Sequence, residues 1–343
     1  MRIAELVEIG RIAFRDIERP VAGPGEVVVR TRAVGLCGTD LKAYLRGHPY
    51  FKPPCVLGHE FTGTVVEIGE GIETFKLGDP VVAAPYIECG KCVHCLKGLG
   101  ELCRHKAFIE GALQEYILIP RAIVERGTFH LSDHIGFAAG TLAEPLACAM
   151  NGVEKAAVGK DETVLVIGGG PMGGLLAMLA KSISPQILVA EISPARLIAL
   201  QSLGFPTIDP SKESIPDRME EQFGEPCADN VLIAVGAGSV AEEALAWTAP
   251  GGTALLFGGL PKGETMTIDP YAVHYREVSI AGSFGYRTDH FHAAVEWIEQ
   301  HPEEAASLIT NTVSFEHLES GFELARAAEG LKVVVVFGED DEG

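Results

Sequence analysis

Between residues 163 and 183 the chain reads TVLVIGGGPMGGLLAMLAKSI. An apolar, β-branched run stops at three glycines, and a segment of helical character follows at once. Gly168, Gly170 and Gly173 fit the spacing G-x-G-x-x-G in the one context that gives that spacing meaning, after a strand and at the opening of a helix. Gly168 permits the tight turn, Gly170 lets the backbone approach a pyrophosphate, and Gly173 lets the helix pack closely on the strand. Pro171 and Met172 are expected to flank the pyrophosphate at the helix N-terminus. The next strand, ILVAEI, carries Glu191, 18 residues after Gly173. A carboxylate there accepts hydrogen bonds from the adenosine ribose hydroxyls and repels a 2′-phosphate, which predicts NAD over NADP. Arg196 is the nearby group that could bind a phosphate instead.

The same alternation continues after that motif. ARLIALQSLG reads as a helix closed by Gly204, and ADNVLIAVGAG, GGTALLFGGL and EVSIAGSFG read as further strands up to residue 285. Strand alternating with helix predicts a parallel sheet covered on both faces. Val235, Ser283 and Phe284 follow strand ends on the carboxyl edge, where such sheets bind ligands. The first 125 residues differ. EVVVRTRAVG (26–35), FTGTVVEIG (61–69) and PVVAAPYI (80–87) are β-branched runs bounded by Gly, Pro and Asp. After residue 290 two helical stretches precede a last strand, KVVVVF (332–337). A length of 343 residues suits two domains.

Four of the eight cysteines, Cys89, Cys92, Cys95 and Cys103, fall within fifteen residues as C-x2-C-x2-C-x7-C. Four thiolates match a closed tetrahedral zinc site, which has no position for substrate and is therefore structural. An iron–sulfur cluster is the other occupant that four thiolates accept. Upstream, GLCGTD places Cys37 after a strand, and GHEFTG places His59 and Glu60 22 residues beyond that cysteine. Glu144, in LAEPLACAM, is a further carboxylate near the start of the glycine-rich region. A cysteine, a histidine and carboxylates can hold zinc and leave one position for a substrate oxygen or water. Cys55, Cys148 and Cys227 read as core residues, and His94 as a surface residue of the four-cysteine lobe.

The net charge of −20 repels nucleic acid and anionic membranes, so neither is expected as a partner. No apolar run reaches a membrane-spanning length, and MRIAELVEIG lacks the apolar core of a signal peptide. A soluble, cytoplasmic protein is expected, in which clustered cysteines bind metal in preference to forming disulfides. The acidic stretch GEDDEG (338–343) reads as a solvated tail.

Taken together, GLCGTD, GHEFTG, the four-cysteine lobe, AEPLACA and the dinucleotide motif resemble the zinc-dependent medium-chain dehydrogenase/reductase family from end to end. Within it the chain is most similar to the sorbitol (polyol) dehydrogenase-like and threonine dehydrogenase-like branches, which have Glu where alcohol dehydrogenases have a third zinc ligand, from Cys. Here that position is Glu144. The resemblance implies an α/β architecture. A GroES-like catalytic domain (1–147 and 287–343) would be split around a Rossmann NAD-binding domain (148–286). It implies Cys37, His59 and Glu60 as ligands of a catalytic zinc, with Glu144 either an alternative ligand or linked through water, and so two zinc ions per chain. It implies Thr39 as the hydroxyl that takes the alcohol proton, Asp40 as a structural hydrogen-bonding residue, and Ser283 and Phe284 beside the nicotinamide carboxamide. It also implies a homodimer or homotetramer, with edge strands such as EVSIAGSF pairing.

The chain departs from that pattern at three places. Lys42 stands where many relatives carry a relay histidine, Ala43 followed by Tyr44 stands in place of a substrate-contacting tyrosine, and Phe284-Gly285-Tyr286 replaces an F-R-Y stretch. Gly47-His48-Pro49 lies on the loop between zinc ligands, where it can line the pocket. The expected reaction is reversible NAD-linked oxidation of a secondary alcohol of a polyol, sugar alcohol or cyclitol to a ketone, phosphorylated polyols being a variant. The alternatives are an L-threonine 3-dehydrogenase or another alcohol or diol dehydrogenase, and outside catalysis an NAD-binding regulator of the same fold.

Overall fold

The strand Val27–Gly35 organises the first half of the chain. It pairs antiparallel with Glu60–Ile68 along one edge, and with Tyr116–Ile119 and Lys332–Val336 along the other. The sheet is completed by Pro80–Ala83 and Thr128–His130 beyond Glu60–Ile68, and by Ile309–Ser314 beyond Lys332–Val336. A smaller sheet joins Arg2–Glu8 to Arg11–Asp16 and Cys55–Val56. The protein is described here from a computed structural model covering residues 1–49 and 51–338. Of the acidic stretch 338–343, all but Gly338 lies outside the described residues.

Val27–Gly35 can occupy the centre because it is apolar on both faces. Val27, Val28, Val29, Ala33 and Val34 are all fully buried. The register sets Gly35 opposite Glu60 on one neighbour and opposite Val334 on the other. The chain therefore leaves the sheet at Leu36 and enters the helix Gly38–Arg46 beside the ends of two other strands.

The second half is a six-stranded parallel sheet in the order Thr207–Ile208, Ile187–Ala190, Val164–Ile167, Ala228–Ile233, Thr248–Leu256, Ser279–Gly282. Numbered along the chain, this is the doubly wound order 3-2-1-4-5-6, with its topological switch between the first and fourth strands. The strands read as near-continuous apolar runs because both faces are covered. Leu165, Leu188, Val231, Ile233 and Ala254 lie in one core with Met219 and Ala244. The expected α/β class, with GroES-like and Rossmann parts, is the one observed.

Contacts divide the chain into a unit of Met1–Ala147, Tyr286–Ala327 and the residues from Lys332 onward, and a unit of Cys148–Gly285 with Ala328–Leu331. Two stretches fall on the other side from where the sequence suggests. Tyr286 goes with the first unit, where its ring stacks on Tyr86 at 4.5 Å and its N–H donates to the Tyr86 hydroxyl at 3.0 Å. Ala328–Leu331 goes with the second, where the Ala328 carbonyl accepts from Ser193 Oγ at 3.0 Å and the Gly330 carbonyl from Arg196 Nε at 3.1 Å.

Three local expectations are corrected. PVVAAPYI breaks into Pro80–Ala83 and Tyr86–Ile87 because Pro85 has no N–H to continue a ladder. The region after 290 holds three helices, Thr288–Gln300, Pro302–Ser307 and Leu318–Ala327, with a strand Ile309–Ser314 among them. That strand is polar and only partly buried, so no apolar alternation marks it. Cys55, Cys148 and Cys227 are half-buried instead of core.

Candidate active site and metal centres

Cys37 ends the turn after the central strand and caps the helix Gly38–Arg46. Its thiol accepts the Thr39 N–H at 3.4 Å. Asp40, at the third helical position, reaches back to accept the Cys37 N–H at 3.1 Å and also accepts the Gly58 N–H at 3.0 Å. One fully buried carboxylate thereby ties the two loops that carry Cys37 and His59. Asp40 Oδ1 also lies 3.4 Å from His59 Nδ1. This contact leaves Nε2 free to act as a ligand, the arrangement in which an outer carboxylate orients a metal-binding imidazole.

Cys37, His59 and Glu60 offer ligand atoms that all lie within 4.8 Å of one another. The set fits a catalytic-type zinc: a thiolate, an imidazole and a carboxylate are three protein donors, which leaves a fourth position open. One further observation favours a cation at this point. Glu60 is wholly buried and its Oε1 has no hydrogen-bond partner among the described residues. Burial opposes a charge on His59, yet Asp40 and then Cys37 outweigh it and hold the imidazole well above its usual pKa. Glu144, in the first turn of the helix Ala143–Ala156, is 8% exposed and lies outside the three-residue group. Thr39 and Lys42 are half-buried on the cysteine-capped helix.

The second cluster is Cys89, Cys92, Cys95 and Cys103. Sulfur–sulfur distances are 3.5 Å for Cys92–Cys95, 3.8 Å for Cys92–Cys103 and 3.9 Å for Cys89–Cys95. A tetrahedron with zinc–sulfur bonds of about 2.3 Å has edges of about 3.8 Å, so the spacing fits. The backbone N–H of Cys89 and of His105 donate to the Cys103 sulfur at 3.4 and 3.3 Å. The Cys95 N–H pulls the Cys92 thiol down to about 5, while burial and the neighbouring thiols push Cys95 up to about 12. Thiols this close cannot all ionise unless a cation sits among them.

In the parallel-sheet unit, Gly168 has φ +93°, and a Cβ there would lie 2.3 Å from Val235 Cγ1. A Cβ on Gly173 would lie 1.8 Å from the Gly168 carbonyl oxygen. Gly170 is the N-cap of the helix Pro171–Ile183, on which Pro171 and Met172 are half-buried. Glu191 follows the second strand, and its Oε1 accepts the N–H of Ile192 and Ser193 at 2.7 and 2.8 Å. Its Oε2 lies 3.8 Å from Arg196 Nη1. Ser283 Oγ accepts from Asn151 Nδ2 at 3.1 Å, while Phe284 is 57% exposed.

Sequence reading did not single out two residues that the structure brings in. Asn151 also donates to the Gly285 carbonyl at 3.0 Å, fixing the loop after the last strand. Lys332, fully buried, places its Nζ against Glu60 Oε2. A charged residue opening the valine run KVVVV was the available signal for Lys332; Asn151 left none.

The profile of the alcohol dehydrogenase GroES-like domain matches residues 23–133, and that of the zinc-binding dehydrogenases matches 171–300. The L-galactonate-5-dehydrogenase of Escherichia coli is 32% identical over 333 residues, 95% of this chain and 96% of that protein. The chain belongs to the zinc-dependent medium-chain dehydrogenase/reductase family. It is also 33% identical to the D-altritol 5-dehydrogenase of Agrobacterium fabrum, over 82% of this chain and 84% of that one. A dehydrogenase-family protein of Sinorhizobium meliloti, solved bound to NADP, matches with a TM-score of 0.88 at 28% identity over 98% of both chains.

Asp40 supplies an acceptor to two buried N–H groups, so Asp40→Ala is expected to cost about 3 kcal/mol of stability. Thermal melting checks this. Imidazole NMR shifts are expected to show His59 losing its fixed ring orientation, and Asp40→Asn is expected to be the milder change.

Proposed function

We propose that this dehydrogenase oxidises a secondary alcohol of a polyol, sugar alcohol or cyclitol to a ketone, reversibly, with NAD as hydride acceptor. The observation that carries the reading is the three-donor group of Cys37, His59 and Glu60, which leaves one position free, beside a separate four-cysteine group that leaves none. In this reading Cys37, His59 and Glu60 hold the catalytic zinc, with Glu144 as alternative ligand or as a partner through water. Cys89, Cys92, Cys95 and Cys103 hold the structural one.

Zinc supplies Lewis acidity that lowers the pKa of a substrate hydroxyl. The chain's own residues do the rest. Asp40 fixes the His59 ring and the Cys37 backbone. Thr39 receives the hydroxyl proton; with Lys42 in place of a relay histidine, either Lys42 or water passes it on. Gly168, Gly170 and Gly173, with Pro171 and Met172, admit the dinucleotide phosphates to the N-terminus of the helix Pro171–Ile183. Val235, Ser283 and Phe284 would hold the nicotinamide, which would supply the hydride chemistry.

The preference for NAD rests on Glu191 and Arg196. Arg196 is already engaged by the Glu191 carboxylate and the Gly330 carbonyl, so its charge is not free for a 2′-phosphate. The sugar-acid and sugar-alcohol substrates named for the two curated relatives support the polyol class. Residues 47–49 and the Ala43 position would define which polyol. A homo-oligomer in the cytoplasm completes the reading. Ser279–Gly282 is an edge strand, and Tyr271, Tyr275 and Phe284 in the same unit are exposed.

Two experiments test the proposal. Zinc-loaded protein with NAD is expected to form NADH from at least one of sorbitol, xylitol, galactitol, altritol, L-galactonate or myo-inositol, and to leave ethanol and L-threonine unreacted. Turnover of L-threonine alone would favour the amino-alcohol alternative, and NAD binding without any turnover would favour a regulator. Glu191→Ala is expected to lower kcat/KM with NAD by about 10-fold or more while raising that with NADP, since it removes one hydrogen-bonded carboxylate and frees Arg196. An unchanged cofactor ratio would contradict the assignment of Glu191.

A further inference from the structure

The segment between Cys37 and His59 reverses the charge balance of the chain. The sequence has 47 acidic and 27 basic residues, yet residues 41–59 carry Lys42, Arg46 and Lys52, with His48 and His59, and no Asp or Glu. Lys42, Arg46 and Lys52 form no ion pair among the described residues. Thr39, Lys42 and Arg46 follow at spacings of three and four on the helix Gly38–Arg46, so they make one stripe that begins two residues after Cys37. Tyr44 lies about half a turn from both cations and stacks on Phe322 at 4.8 Å. Burial, then the charges of Glu319 and Glu323, raise the Tyr44 pKa. Those acids of the helix Leu318–Ala327 therefore lie across Gly38–Arg46 from Lys42 and Arg46. Asp40, the one carboxylate on this helix, is buried and accepts the N–H groups of Cys37 and Gly58. His48 links the stripe to the ligand group. Its ring lies 5.6 Å from that of Phe51, which in turn stacks 6.4 Å from His59. Burial, then the Lys42 charge, hold His48 below its usual pKa, so Lys42 is a neighbour of that ring.

Lys42 is half-buried, so its ammonium gains more from an anion than a fully solvated lysine would. A chain of net charge −20 repels anions at long range. At about 0.1 M salt that field is screened beyond about 10 Å, so the cations nearest the substrate decide. A neutral polyol has no use for an unpaired ammonium, whereas a carboxylate or phosphate takes charge-assisted hydrogen bonds from it. Resting on the secondary-alcohol reading above, we propose that the substrate is a polyol chain carrying an anionic group, a carboxylate or a phosphate, and that Lys42 binds this group with Arg46 beside it. Lys42 is then a specificity-determining residue, and the hydroxyl proton leaves through water. The opposing account is that both cations are solvated charges of a helix face, Arg46 also complementing the helix C-terminus.

The test compares full-length, zinc-loaded wild type, Lys42→Met, Lys42→Arg and Arg46→Met with NAD on matched series: galactitol, sorbitol and xylitol, each beside its sugar acid and its terminal phosphate. In wild type the acid or the phosphate is expected to exceed its neutral parent in kcat/KM by about 10-fold or more, the scale of a charge-assisted hydrogen bond, and the better of the two identifies the anion. Raising the salt to about 1 M, where the screening length falls to about 3 Å, should shrink that preference. Lys42→Met should erase it, with the loss carried by KM, while Lys42→Arg keeps most of it and Arg46→Met falls between. A wild type that does not discriminate, or prefers the neutral polyol, would overturn the proposal and leave the polyol reading standing. So would a preference that survives Lys42→Met. An equal loss of anionic and neutral substrates through kcat in Lys42→Met would overturn it too, because that is what a place in the proton route or in the fold predicts. The salt series needs no variant and decides the matter should Lys42→Met not fold: a preference untouched by salt would overturn the proposal. No turnover of any member would remove the polyol reading and this proposal with it, a pattern distinct from the others.

Discussion

Three strands meet where the candidate chemistry sits, and their register decides what can be there. Val27–Gly35 runs between Glu60–Ile68 and Lys332–Val336, and Gly35 at its end faces Glu60 on one side. The next two residues are Leu36 and Cys37. A one-residue slip of Glu60–Ile68 would turn Glu60 to the other face of the sheet and separate it from Cys37 and Lys332. The buried β-branched side chains that hold this register therefore also hold the charges. The last strand contributes as much as the first, since the cation facing Glu60 comes from residue 332.

The two cysteine-bearing centres show how one ligand type serves different ends. In the lobe from Cys89 to Cys103 all donors are thiols, and neighbouring backbone N–H groups point at the sulfurs. Such a group suits a structural metal, with no donor position left for a substrate. At Cys37 the donors are mixed and a carboxylate orients the histidine. Asp40 accepts N–H groups from both loops, so backbone hydrogen bonds help fix the positions of Cys37 and His59.

Much of this was legible in the sequence because the relevant signals are local. The glycine spacing at 168–173 works through turn geometry and helix packing within a few residues, and C-x2-C-x2-C is a single loop. GLCGTD and GHEFTG each mark one candidate ligand position, and their meeting required only that both flank neighbouring strands. What the sequence hid is long-range or weakly patterned. The strand Ile309–Ser314 is half-exposed and threonine-rich, so it carries no apolar alternation. Tyr286 joins the first unit through a stack on Tyr86, 200 residues away in the chain. Lys332 opens a valine run, and the sheet order is what shows that it lies beside Glu60.

The account stands or falls on two metal centres with different duties, and metal content measured by mass spectrometry alongside activity tests that most directly. Wild type is expected to carry two zinc ions per chain, matching its two ligand groups. Cys37→Ser should carry one, lose NADH formation and keep its melting temperature, whereas Cys95→Ser should carry one and melt lower. A Cys37→Ser protein that keeps both ions and its activity would contradict the account.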